Sequence, residues 1–193
     1  AYLDIIGRLP TPDEVRAFLA DRSTGKRARL VDALLERPEY AEHWANKWAD
    51  LLRPNPYHVG IKATYSYDLW IREQFRQNKP YDQFVREQLA GDELDQVTRD
   101  SIIATGYYRL GIWDDEPADP VQARSDERDD LIATTSQAFL GLTVGCARCH
   151  DHKIDPIPQR DYYGLAAFFG DVTSYGDRGD QTGNNQWDLS SPE

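Results

Sequence analysis

Two cysteines, Cys146 and Cys149, stand three positions apart and are followed at once by His150, in the run Gly145-Cys146-Ala147-Arg148-Cys149-His150-Asp151-His152. They are the only two cysteines of the 193 residues. Cys-x-x-Cys-His is the attachment spacing of a c-type haem. Each thiol can form a thioether to one edge of a porphyrin. The next residue then lies over the ring centre, where a neutral imidazole binds iron as proximal ligand. On this reading Cys146 and Cys149 carry one covalent haem c and His150 holds its iron.

Three other chemistries use the same residue types. A redox dithiol also has the Cys-x-x-Cys spacing, but it belongs where a strand runs into a helix of a βαβ unit, and no such pattern surrounds Cys146. Cys146, Cys149, His150 and His152 together count as four zinc ligands. Structural zinc sites, however, draw their ligands from separated positions, and Cys149 and His150 are neighbours. A disulfide, or a pair of buried thiols, is the plainest reading. The haem spacing accounts for all three residues at once.

The elements that would position this motif are helical. Thr11-Pro12-Asp13-Glu14 reads as a capping box with proline at the first helical position, leading into an apolar face of Val15, Phe18 and Leu19. A second helix carries Leu30, Val31, Leu34 and Leu35 and ends before Pro38, and the two predict an antiparallel hairpin. A third helix, over about 39–53, places Tyr40, Trp44, Lys47, Trp48 and Leu51 on one stripe, with His43 at its edge. Pro54, Asn55, Pro56 and Gly60 mark a loop that carries His58. Helical patterns resume at Tyr67, Leu69, Trp70, Ile71 and Phe75, again at Phe84, Val85 and Leu89, and again over about 100–109. The acidic stretch over about 114–130 reads as a solvated loop and helix start, since its spacing does not match an EF-hand. From about 125 to 144 a long helix delivers its end straight into Cys146, with Gly141 and Gly145 permitting close approach of a helix or porphyrin. A last helix bears Tyr162, Tyr163, Leu165, Phe168 and Phe169. No strand pattern stands out, so the fold class is all-α: an irregular multi-helix domain wrapped around one covalently attached haem.

Several of these stretches occur together in a known pattern. Tyr2-Leu3-Asp4-Ile5 with Gly7-Arg8-Leu9-Pro10-Thr11, Trp44-x-x-x-Trp48-x-Asp50-Leu51, Asn78-Lys79-Pro80-Tyr81-Asp82-Gln83-Phe84-Val85-Arg86, and Phe139-Leu140-Gly141 through to His152 span nearly the whole chain. In these the chain resembles the cytochrome-like domain of unknown function found in large exported proteins of planctomycete-type bacteria. The resemblance implies a haem c module working in redox chemistry of the cell envelope, beside further domains and sometimes near polysaccharide-degrading enzymes. It also implies histidine in many members where this chain has Lys47.

The sixth iron ligand decides what such a haem does. Methionine, which raises the potential of electron-transfer cytochromes, is absent from this chain. His152 lies two residues from the proximal ligand and cannot reach the opposite face of the same ring; it is expected to bond backbone or a propionate. Lys47, His43 and His58 are the distal candidates, in that order, with Lys47 alternatively paired to a carboxylate or propionate or snorkelling to water. Trp44, Trp48 and Tyr107 suit a pocket wall. Arg148, Arg124 and Arg128 suit either propionate partners or ordinary surface charges.

Composition sets the outer limits. The formal net charge of −11 disfavours nucleic acid as a partner, and no apolar run approaches the ~20 residues of a membrane span. Residues 1–170 are expected to form the haem domain. Residues 171–193, rich in Gly, Asp, Asn and Ser, are expected to be a loop-rich tail leading to a further domain. The chain opens at Ala1 and holds no methionine, as expected of a piece of a longer, exported, periplasmic protein whose signal peptide lies upstream. Three functions follow as expectations. The first is an electron carrier with nitrogen ligands on both iron faces, serving a redox partner protein or fused domain. The second is a haem enzyme or small-ligand sensor with an open distal face. The third is a structural zinc or interaction module.

Overall fold

A computed structural model describes residues 1–111, 113, 114, 116–172 and 174, apart from the side chain of His58. Among the described residues the chain is helical, without strands. The α-helices are α1 (Tyr2–Ile6), α2 (Pro12–Ala20), α3 (Lys26–Leu35), α4 (Pro38–Leu52), α5 (Pro56–Arg76), α6 (Tyr81–Ala90), α7 (Arg99–Ala104), α8 (Pro120–Thr135) and α9 (Gln159–Phe168). Proline opens α2, α4, α5 and α8, where its missing N–H costs no helical bond. The capping box of α2 forms as its sequence predicts: the Glu14 N–H donates to Thr11 Oγ1 at 3.3 Å and the Thr11 N–H to Glu14 Oε2 at 2.6 Å.

The core runs between α4, α5, α6 and the α7–α8 region, and it is largely aromatic. Trp70 stacks on Phe84 at 5.3 Å, Trp48 meets Phe84 at 5.2 Å, and Phe139 joins Trp48 (5.9 Å) to Tyr107 (5.5 Å). Two of its buried hydroxyls are paired internally. The Tyr67 hydroxyl donates to Gln88 Oε1 at 2.7 Å, and the Tyr107 hydroxyl lies 2.6 Å from Thr135 Oγ1. Burial raises the pKa of both tyrosines above the ordinary phenol range, which keeps them neutral. The protein's own side chains build this core, and the cysteine motif lies at its margin.

Four local expectations change. On α4 the residues sealed against the core are Ala41, Ala45 and Leu52, while Leu51 and Lys47 are exposed. The alanines let α4 and α5 come close, and small side chains give little hydrophobic signal in a sequence. The stretch around His58 is helix rather than loop, because Asn55 accepts the Tyr57 N–H at 3.0 Å and starts α5 at Pro56. Gly60, at φ 80°, then kinks α5. On α2, Val15 and Leu19 stay exposed and no residue is fully buried; the helix is tied to α3 through Lys26, whose ammonium accepts no bond but donates to the carbonyls of Phe18 (2.9 Å) and Asp21 (3.0 Å). Finally, α8 does not run unbroken to the motif. It widens into a π-helical turn at Ser136–Leu140 and stops at Gly141, whose φ of 66° only glycine adopts without strain. A side chain at Gly141 would meet nothing within 4 Å, so conformation and not close packing requires glycine there.

Candidate functional site

The motif sits on a 3-10 turn, Val144–Arg148, that follows the end of α8. Three residues per turn align positions i and i+3. Val144 and Ala147 therefore share one side, and both are buried; Cys146 and Cys149 share another, and both are free thiols exposed at the surface. Alternation of this kind needs small or apolar residues at 144 and 147, which the sequence supplies. Gly145 lies in ordinary contact with Ala133 Cβ of α8, 3.6 Å from a notional Cβ, so it is seated closely but would tolerate alanine.

His150 follows, also exposed. Its Nδ1 lies 2.7 Å from the Asp151 carbonyl oxygen. A carbonyl only accepts, so Nδ1 carries the proton and the lone pair of the neutral ring resides on Nε2. This is the tautomer a metal-ligating histidine needs, with the far nitrogen oriented by a backbone oxygen.

His152 has the opposite tautomer. Its Nδ1 accepts the backbone N–H groups of Asp155 (2.8 Å) and Ile154 (3.2 Å), so Nε2 holds the proton and donates to Thr143 Oγ1 at 3.0 Å. Both nitrogens of His152 are thereby used within the loop, and a tetrahedral zinc site at this motif lacks its fourth protein ligand. Among the described residues no group of three or more His, Cys, Asp or Glu side chains is placed to hold a metal ion.

The segment between the cysteines is held from two sides. The Arg148 guanidinium donates to Asp129 Oδ2 at 2.9 Å and Asp126 Oδ1 at 3.1 Å on α8, and the Tyr162 hydroxyl shares Asp129 at 2.8 Å. The Arg148 carbonyl accepts from Gln159 Nε2 (2.9 Å) and the Tyr163 hydroxyl (3.1 Å) on α9. Asp151 Oδ1 receives the Gln159 N–H at 2.8 Å, fixing α9 to the residue after the motif histidine. Around these groups apolar side chains stand in water: Leu140 is 60% exposed, Leu142 41%, Tyr163 56% and Ile154 86%. The Thr143–His152 bond brings the neighbours of Leu142 and Ile154 together at one end of the loop.

The other residues singled out by sequence lie elsewhere. His43 packs across Gly7 at the end of α1, close enough that a Cβ on Gly7 would meet its Nδ1 at 2.3 Å, and its Nε2 is buried without a partner. Lys47 is exposed, with its ammonium 5.3 Å from the Trp44 ring centre, and its charge acts on Asp4. Trp48 reaches the motif's side of the core only through Phe139. The side chain of His58 and most of the tail 171–193 lie outside the described residues. Arg124 and Arg128 donate to the carbonyls of Val172 and Gly170, the latter at 3.2 Å, and so tie the chain after α9 back to α8.

Sequence reasoning missed Thr143, Gln159, Tyr163, Asp126 and Asp129 as supports of the motif. For the two aspartates a signal existed: three positions apart on one helix, they share a face. For the others none did, because they pair across irregular loop.

A family model described as PSCyt2, protein of unknown function (DUF1549), matches residues 1–174. Comparison with curated proteins and with solved structures finds no match.

Proposed function

The chain belongs to the PSCyt2 family of unknown function, and from that premise we propose that it is a single-haem c-type module of the cell envelope that relays electrons to a partner protein or fused domain. The observation that carries the proposal is the pairing of two exposed, unpaired thiols with a histidine whose Nδ1–H is fixed on the Asp151 carbonyl, leaving Nε2 as the donor. A haem bound there would supply one-electron chemistry at iron.

The chain's own residues do the positioning. Val144 and Ala147, held in the core, turn Cys146 and Cys149 outward; Asp151 sets the tautomer of His150; Gln159, Tyr163, Asp126 and Asp129 hold Arg148 between the thiols. Leu140, Leu142, Ile154 and Tyr163 offer apolar surface of the kind a porphyrin face would cover. Arg148, already bonded to two aspartates, is a positioning residue rather than a propionate partner.

A second reading, a haem with an open sixth position that binds small molecules, is favoured by one observation. His43 is lodged against Gly7 and Lys47 lies beside Trp44 on α4, so neither is held ready beside the motif.

Expression with the haem c maturation machinery tests both. The expected product absorbs in the Soret region and is heavier than the bare chain by one haem, and the Cys146→Ala/Cys149→Ala protein is colourless. Low-spin bands unaffected by carbon monoxide support the relay, and bands that shift support the open site. A colourless wild-type protein without added mass overturns the proposal.

A further inference from the structure

A cavity of about 250 Å³ lies between α4, α5 and α6, walled by the rings of Trp44, Trp48, Phe75, Tyr81 and Phe84, with Gln74 and Lys79 as its polar members. None of the motif residues lines it. Gln74 is only 5% exposed; its Nε2 donates to the Trp70 carbonyl at 2.9 Å, which fixes the amide and leaves Oε1 buried with no donor. The indole Nε1 groups of Trp44 and Trp48 are likewise buried with no acceptor. Native proteins rarely leave such atoms unpaired, since each has given up water without receiving a bond. Here one unpaired acceptor and two unpaired donors belong to side chains that line one cavity.

We propose that this cavity binds a small uncharged ring carrying a hydroxyl group, a molecule of the phenol class. Size limits the occupant: the space falls below the roughly 300–1,000 Å³ of pockets for drug-sized ligands, which leaves room for a single ring. The walls select an aromatic, because five of the seven lining residues present rings, whose faces and edges favour stacked and edge-on contacts. Charge selects a neutral molecule. Lys79 is held by Glu87 at 2.5 Å and lies 5.8 Å from the Trp70 ring centre, so its ammonium is already satisfied. A polyol carries more hydroxyls than three unpaired atoms can serve, and burying the surplus is unfavourable. One phenolic group matches: its O–H donates to Gln74 Oε1 and its oxygen accepts an indole N–H. The site is linked to the motif side of the molecule, since Tyr81 donates to the Phe139 carbonyl at 2.9 Å and Trp48 packs on Phe139. It does not depend on haem.

The test is a titration of the isotope-labelled full chain with p-cresol and, separately, with toluene, following the indole N–H resonances of Trp44 and Trp48, assigned with Trp44→Phe and Trp48→Phe. The expected result is saturable movement of both resonances by p-cresol, binding at least about tenfold tighter than toluene, and loss of that preference in Gln74→Leu. Toluene bound as tightly as p-cresol, resonances that p-cresol leaves unmoved, or a Gln74→Leu protein that keeps the preference would each overturn it. If Gln74→Leu does not fold, the comparison of the two probes on the wild-type chain decides alone.

Discussion

His152 shows how a single side chain can be assigned by counting its bonds. Each ring nitrogen has a partner that fixes its role, and the two backbone amides on Nδ1 have no other acceptor in the loop. Replacing the ring by one without nitrogen leaves both donors to water. In His152→Phe, amide exchange at Ile154 and Asp155 is expected to accelerate by up to about tenfold, since a hydrogen bond of this kind contributes about 0.5–1.5 kcal/mol. Exchange in α5 should stay unchanged; an unaltered rate at both loop amides would show that His152 does not order them. The contrast with His150 explains what a sequence tells at this scale. Cys146, Cys149 and His150 stand out in the sequence as a motif because adjacency and spacing define it. That His152 would bond backbone was also expected and is observed, but the opposite tautomers of His150 and His152 were not foreseen, because they depend on backbone atoms whose positions only the folded loop defines.

At the scale of elements, periodicity located α2, α3, α4, α6 and α9, and the cap residues located the start of α2. It found Trp48 on the inward side of α4 but centred that side on Lys47 and Leu51, which are exposed, and overlooked Ala41 and Ala45, which are buried. Ala45 is wholly buried where α4 lies along α5, so Ala45→Leu is expected to destabilise the fold by about 1–3 kcal/mol through overpacking, read as a lower urea midpoint. A change within error would mean that the helices can part freely. The start of α2 carries a pH dependence as well. The Thr11 N–H, and then the Arg37 guanidinium, hold the Glu14 carboxyl down to about 2 from its ordinary value near 4.5. A lowered folded pKa stabilises above the unfolded value, and this contribution fades as pH falls from about 4.5 toward 2. Asp21, held down to about 2 by the Ser23 hydroxyl and amide, adds to the same limb. Glu14→Gln should therefore lower the melting temperature at neutral pH and flatten its fall between those pH values; a fall as steep as that of the wild type would exclude Glu14 as a source.

At the scale of the whole molecule, the helical class could be read from the chain and the mutual placement of its helices could not. Contacts such as Trp48 on Phe139, or Arg148 on Asp126 and Asp129, join residues far apart in sequence, and no local pattern announces them. The same placement separates the motif from the core. Since Val144 and Ala147 face inward and the thiols outward, iodoacetamide should alkylate Cys146 and Cys149 in the folded protein within about tenfold of the rate in the denatured chain, as exposure governs thiol access. Strong protection of either thiol would contradict the described surface. A further consequence concerns timing. A chain whose core packs without its two sulfurs has no need to wait for a group that would be joined to them. If a haem is attached there as proposed, attachment can follow folding, and Cys146→Ala/Cys149→Ala protein should accumulate intact and melt within a few degrees of the unmodified wild type. The proposed attachment point is a finished socket on an already standing wall.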